Sequence, residues 1–181
     1  MRIRLCMKIF YLFLIFIVGL KSYADQFVSE VPISKERKLG IESTLKAQLK
    51  DKYITQQQYD QEVKWLYATP CNGIDRSLSE SQKTDWAITI AKQLKFDSVD
   101  INQAFTFKGW HIIYIDNHFS DEPYLFYSGN PTAKSNSVTS WSGAATIFET
   151  SEIEQSILQN APGIPRQLAS CFAWHVTLNR D

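Results

Sequence analysis

Residues 99–115, VDINQAFTFKGWHIIYI, decide how this chain folds. Val99, Ile101, Phe105 and Phe107 alternate with Asp100, Asn102, Thr106 and Lys108, the two-residue period of a half-buried strand. Trp110 to Ile115 is apolar on both faces and reads as a central strand, with Lys108-Gly109 as a turn or bulge ahead of it. Downstream, Tyr124–Tyr127 and Val138–Phe148 supply further strands, separated by two polar loops, Asn117–Pro123 (NHFSDEP) and Ser128–Ser137 (SGNPTAKSNS).

Upstream of the sheet the period changes to that of helices. Ile41, Leu45 and Leu49 recur at four-residue spacing behind a Ser34 cap. Thr55 and Gln58 then form a capping box, and Ile54 and Tyr59 occupy the two positions of a hydrophobic staple. Tyr59, Val63, Leu66 and Tyr67 make the apolar stripe of this second helix, which Pro70 ends. A third helix is predicted over Leu78–Lys95, capped by Ser79 and Gln82, with Trp86, Ala87, Ile90, Ala91 and Leu94 on one face to lie flat on the sheet. The stretch Leu45–Leu66 resembles the short helical-hairpin modules found at the ends of bacterial proteins, and the resemblance implies hairpin geometry and no function.

Beyond the strands, Ser151 and Glu154 are placed to cap a short helix carrying Ile153, Ile157 and Leu158, which stops at Asn160-Ala161-Pro162-Gly163. After Pro165, Leu168, Phe172, Trp174, Val176 and Leu178 point one way and Ala169, Cys171, Ala173 and His175 the other, predicting a last strand. The fold class that follows is α+β. An N-terminal helical hairpin (35–69) and a third helix pack on a mainly antiparallel sheet of four to five strands, with one short late helix, and residues 35–181 form one domain.

The ends of the chain speak of its destination. Arg2, Arg4 and Lys8 precede an uncharged run, Ile9–Leu20, and Ser22-Tyr23-Ala24 offers the small residues that a signal peptidase accepts. Residues 1–24 therefore read as a cleavable secretory signal, with an uncleaved anchor as the alternative, and residues 25–34 as a flexible leader. Localisation in the periplasm, or secretion, is the expectation.

Of the 19 basic and 19 acidic side chains, four basic ones (Arg2, Arg4, Lys8, Lys21) and no acidic one lie in residues 1–24. Residues 25–181 thus carry 15 basic against 19 acidic groups, a net −4. That balance lacks the basic excess of a nucleic-acid binder, and no membrane attachment is expected once the signal is removed. Of the three cysteines, Cys71 and Cys171 lie beyond the signal and, in an oxidising compartment, are predicted to pair.

No reaction motif organises the polar residues. His118, Asp116, Asp121 and Glu122 cluster after the central strand, but their spacing fits no zinc or calcium pattern and reads as a solvated acidic loop. Ser142 lacks the G-x-S-x-G elbow that would pair it with His175 and Asp116 as a hydrolase, and no glycine-rich phosphate loop exists. His111 and His175 sit in strand-like runs, where hydrogen-bonded core histidines are the commoner case. Neither a cofactor nor a metal is predicted.

What remains is surface. The two polar loops leave neighbouring strands and are predicted to present Phe119, Asp121, Glu122, Asn130 and Lys134 side by side. The profile points to a non-enzymatic, exported protein-binding domain, of the immunity or inhibitor type that neutralises a basic, envelope-acting toxin or hydrolase. The alternatives are a small envelope enzyme, using Cys171 with His175 or His118 with the acidic loop, and a small-ligand binder with an aromatic pocket at Trp110, Tyr127, Trp141 and Trp174.

Overall fold

The computed structural model describes residues 30–119 and 121–180. The predicted signal, Cys6 and the first part of the leader lie outside them. Three helices come first: α1 (Lys35–Lys50), α2 (Gln56–Tyr67) and α3 (Glu80–Leu94). The capping residues legible in the sequence set their starts. Ser34 Oγ accepts from Arg37 N–H, and complete capping boxes, Thr55 with Gln58 and Ser79 with Gln82, open α2 and α3.

A meander of four antiparallel strands follows in the order β1 (Asp100–Phe107), β2 (Trp110–Asp116), β3 (Tyr124–Ser128) and β4 (Thr139–Trp141). Lys108 and Gly109, with φ of 47° and 78°, make the two-residue turn that pairs Phe107 with Trp110. Positive φ at both central positions matches the twist of the strands they join. Only Thr139–Trp141 of the predicted strand Val138–Phe148 pairs, because Gly143 turns the chain (φ 113°) and Ile147–Glu149 winds into a 3₁₀ turn.

That turn leads into α4 (Thr150–Asn160), so the capping box lies at Thr146 and Glu149, upstream of the predicted Ser151 and Glu154. Ser151 Oγ accepts instead from Trp65 Nε1 (2.9 Å), and Glu154 accepts from Ser170. The larger correction concerns the C-terminal segment, predicted as a strand: Arg166–Trp174 is helix α5, continued by a π-helical turn over His175–Asn179. Leu168, Ala169, Cys171, Phe172, Ala173 and Trp174 are all buried, so the segment is apolar around its circumference and its period carries no information about which element it forms.

The sheet is buried on both faces. Phe105, Trp110, Ile112, Tyr124 and Phe126 face α4, α5 and Leu66 of α2; Ile101, Ala104, Ile113, Ile115, Leu125 and Tyr127 face Trp86, Ile90 and Ala91 of α3. The Cys71–Cys171 disulfide joins the chain just after α2 to the middle of α5 (Cα–Cα 4.6 Å). Beyond Cys71 the chain runs beside the open edge of β1, exchanging two backbone hydrogen bonds between Asp75 and Thr106. Residues 30–34, read as a flexible leader, have no regular structure but are pinned: Ile33 enters the larger core.

Replacing Cys171 by Ser is expected to cost about 4–5 kcal/mol in denaturant melts, the loop-closure value for a bridge spanning 100 residues. Glu62, buried beside Leu66 on α2, has an Oε2 without a partner, and burial pushes its carboxyl up to about 7 from 4.5. The unfolded chain ionises first, so this group's contribution to stability falls as pH rises from about 4.5 through 7. Glu62→Gln is expected to be more stable than the wild type by about 2–3 kcal/mol near pH 8, with the gain fading towards about pH 4 in thermal melts.

Candidate functional site

The loop between β2 and β3 is held in one conformation by its own side chains. Asp116 Oδ1 accepts from His118 N–H (2.7 Å), and the buried Asn117 accepts from Phe119 N–H (2.9 Å). These two turns place His118 at a φ of 63°, a left-handed conformation uncommon for a side-chain-bearing residue. The His118 ring lies between two carboxylates, 3.4 Å from Asp116 and 3.5 Å from Asp100.

Phe119 is thereby turned outward, 76% exposed, with its ring stacked on Phe96 at 6.2 Å. Phe96 comes from the turn after α3, where Lys95 takes the left-handed cap, and it packs on the smaller core. Asp97, Asp100 and Asp121 are exposed nearby in the chain, and Glu122 accepts from Tyr114 Oη. The result is one exposed aromatic on a rigid loop, rimmed by carboxylates.

Of the five predicted binding residues, Phe119, Asp121 and Glu122 share this tip. Asn130 and Lys134 do not join them. In an antiparallel pair successive loops leave opposite ends, and the β3–β4 loop starts beyond the Trp110–Ser128 pair while the β2–β3 loop starts beyond Tyr114–Tyr124. Four residues of strand, about 13 Å, separate the two ends. Asn130 caps the 3₁₀ turn Pro131–Ala133, and the carbonyls of Pro131 and Lys134 accept from Gln93 of α3, so this loop is fastened to the fold.

A second polar constellation was illegible in the sequence. A cleft of about 960 Å³ opens between the N-terminal ends of α1 and α3, the β1 edge and the C-terminal turn. At its floor lies Glu30, with a side chain 7% exposed. One carboxylate oxygen accepts from His175 Nδ1 (3.0 Å) and Asn179 Nδ2 (2.7 Å), and the other pairs with Arg76. Arg76 also donates to Ala104 O and Gln103 Oε1, and its guanidinium stacks 3.8 Å over the Phe105 ring. Burial pulls the Arg76 pKa down to about 10, which leaves it charged at neutral pH.

On its far side the His175 ring meets Tyr124 Oη at 3.3 Å. The carboxylate–imidazole–hydroxyl order resembles a proton relay, but its terminal group is a fully buried tyrosine whose pKa burial pushes up to about 12. Such a hydroxyl makes a hydrogen-bond donor and a poor nucleophile. His111 donates or accepts with Thr106 at 3.0 Å and packs edge-on against Trp86. Burial lowers its pKa.

The enzyme alternatives lose their parts. Cys171 is bonded to Cys71 and offers no thiol. Asp116 is engaged with His118 and Glu30 holds His175, so Ser142, His175 and Asp116 are not brought together. The aromatic pocket does not form either, because Tyr127 lies on the α3 face of the sheet and Trp110, Trp141 and Trp174 on the other. Among the described residues no group of three or more His, Cys, Asp or Glu is placed to hold a metal ion, and no helix is long and apolar enough to cross a membrane. Compared with known proteins, the chain matches no family model, no curated protein and no solved structure.

The Glu30 cluster predicts a specific energetic pattern. Glu30→Ala is expected to cost about 3–5 kcal/mol, because it strands the buried Arg76 charge, while Glu30→Ala combined with Arg76→Met costs less than the sum of the single changes. Denaturant melts of the full double-mutant cycle measure it.

Proposed function

We propose that this protein is an exported, non-catalytic binding domain whose partner is another protein, met at the Phe119 tip. The more specific reading is an immunity or inhibitor protein that caps a basic, envelope-acting toxin or hydrolase. The observation that supports it is Phe119 itself. A phenyl ring 76% exposed, yet fixed by two side-chain turns and a stacking partner, is a pre-ordered anchor of the kind that dominates interface energetics.

The surrounding charge favours a basic partner. Asp97, Asp100, Asp116 and Asp121 give the tip a negative rim within a net-negative chain, and rim charges act mainly on the rate of encounter and on the rejection of wrong partners. A loop that already holds its bound form loses little conformational entropy on docking.

The test separates anchor from rim. Wild-type protein is expected to retain a stoichiometric protein from envelope extract. Phe119→Ala is expected to weaken that complex by about 2 kcal/mol or more, roughly thirtyfold, with an unchanged melting temperature. Asp121→Lys is expected to slow association at low salt and leave the dissociation rate nearly unchanged, as read by surface plasmon resonance. Recovery of no stoichiometric partner, or equal retention by Phe119→Ala, overturns the proposal.

A further inference from the structure

The cleft concentrates positive charge against the sign of the chain that builds it. Residues 25–181 carry a net −4, yet Arg37, Arg76, Lys83 and Arg180 all line this one cleft. Among the described residues of its lining, Glu30 is the one acidic side chain. Glu30 answers the charge of Arg76, with which it is paired. Two other cations are not balanced in the same way. Lys83 is 40% exposed and its partner Glu80, at 3.0 Å, is 88% exposed, a pair that water screens. Arg180 donates to the Gly143 carbonyl (2.6 Å) and the Tyr114 hydroxyl (3.1 Å), both neutral acceptors that leave the guanidinium charge in place. A concave site lined by one sign of charge focuses the field and gathers counter-ions of the other sign.

The shape of the cleft specifies more than an anion. Residues 30–34 already run through it as irregular, extended chain, with the Glu30 carboxylate received by Arg76, His175 and Asn179. The cleft therefore accommodates, within its own chain, an extended peptide that carries a carboxylate. One wall is the edge strand β1, whose pairing with β2 slips at Asn102, and this bulge leaves Asn102 exposed in the lining. Bulges of this kind re-aim a side chain beside a binding site. Ser77 and Ser79 add short polar side chains along the same wall.

We propose that the outer part of the cleft, beside the resident Glu30, binds an acidic peptide in extended form, with its carboxylates taken by Lys83 and Arg180. Carboxylate fits the planar fork of an arginine in two parallel hydrogen bonds, and the lysine adds a point charge. The site lies apart from the Phe119 tip and does not rest on the reading of that tip.

Triglutamate and inorganic phosphate are the probes, titrated at low salt into the protein as recovered from the cell and followed by calorimetry and amide chemical shifts. Triglutamate is expected to bind saturably and more tightly than phosphate, shifting the amides of Ser77, Asn102 and Arg180. Lys83→Glu is expected to weaken it about tenfold, and Arg180→Gln at least as much. Lys83 is exposed enough that its variant keeps the wild-type melting temperature, which a thermal melt verifies. Absence of saturable binding by triglutamate, phosphate binding as tight as triglutamate, or a triglutamate affinity unchanged in Lys83→Glu each overturns the proposal.

Discussion

The Cys71–Cys171 bond fixes two segments that no local interaction would bring together, and both carry a donor to the same carboxylate. Arg76 lies five residues beyond Cys71, and His175 lies one helical turn beyond Cys171 on the same continuous helical segment. The bridge sits in the larger core, among Leu66, Ile74, Leu168 and Phe172, so it is backed by packing on every side. In a chain-entropy argument its contribution comes from the unfolded state, where a 100-residue loop is denied its freedom. In the folded state its effect is geometric: it aligns Arg76 and His175 on Glu30, and through Glu30 it fastens the residues that precede α1.

Much of this was legible in the sequence wherever the signal is local. Capping boxes at Thr55 and Ser79 depend on residues three apart, and each marks its helix start correctly. The strand pair at 100–116 was legible because its period-two pattern and its turn are contiguous. The C-terminal segment misled because a helix apolar on all sides has no amphipathic period, and small residues at alternate positions then imitate a strand. The disulfide needed only a count of cysteines.

The site divides along the same line. Phe119, Asp121 and Glu122 were recognisable as one polar loop with an unpaired aromatic. Grouping them with Asn130 and Lys134 failed because adjacency in the sheet was taken for adjacency of loops, and antiparallel pairing sends consecutive loops to opposite ends. The Glu30 cluster was invisible for a different reason. Its members are separated by up to 149 residues, and a long-range ion pair leaves no periodic trace in a sequence. A lone arginine, Arg76, soon after a cysteine was the available sign, and it is far too weak to point to one carboxylate.

The cluster also raises the question of why a core of this quality keeps a charge pair at all. Burying Glu30 and Arg76 costs several kcal/mol of hydration per ion, and a well-packed apolar pair of similar volume is often as stable. What an apolar pair lacks is direction. Glu30 is satisfied by donors from three places, Arg76 after the bridge and His175 and Asn179 from the C-terminal turn, so a slip of the preceding chain by one residue would strand all of them. Ile33 alone, three residues on, tolerates such a slip far better, since apolar contacts are non-directional. The ion pair is therefore best understood as a register lock. It holds residues 30–34 in one path through the cleft, and that path in turn decides how much of the Arg37, Lys83 and Arg180 surface is left open beside it.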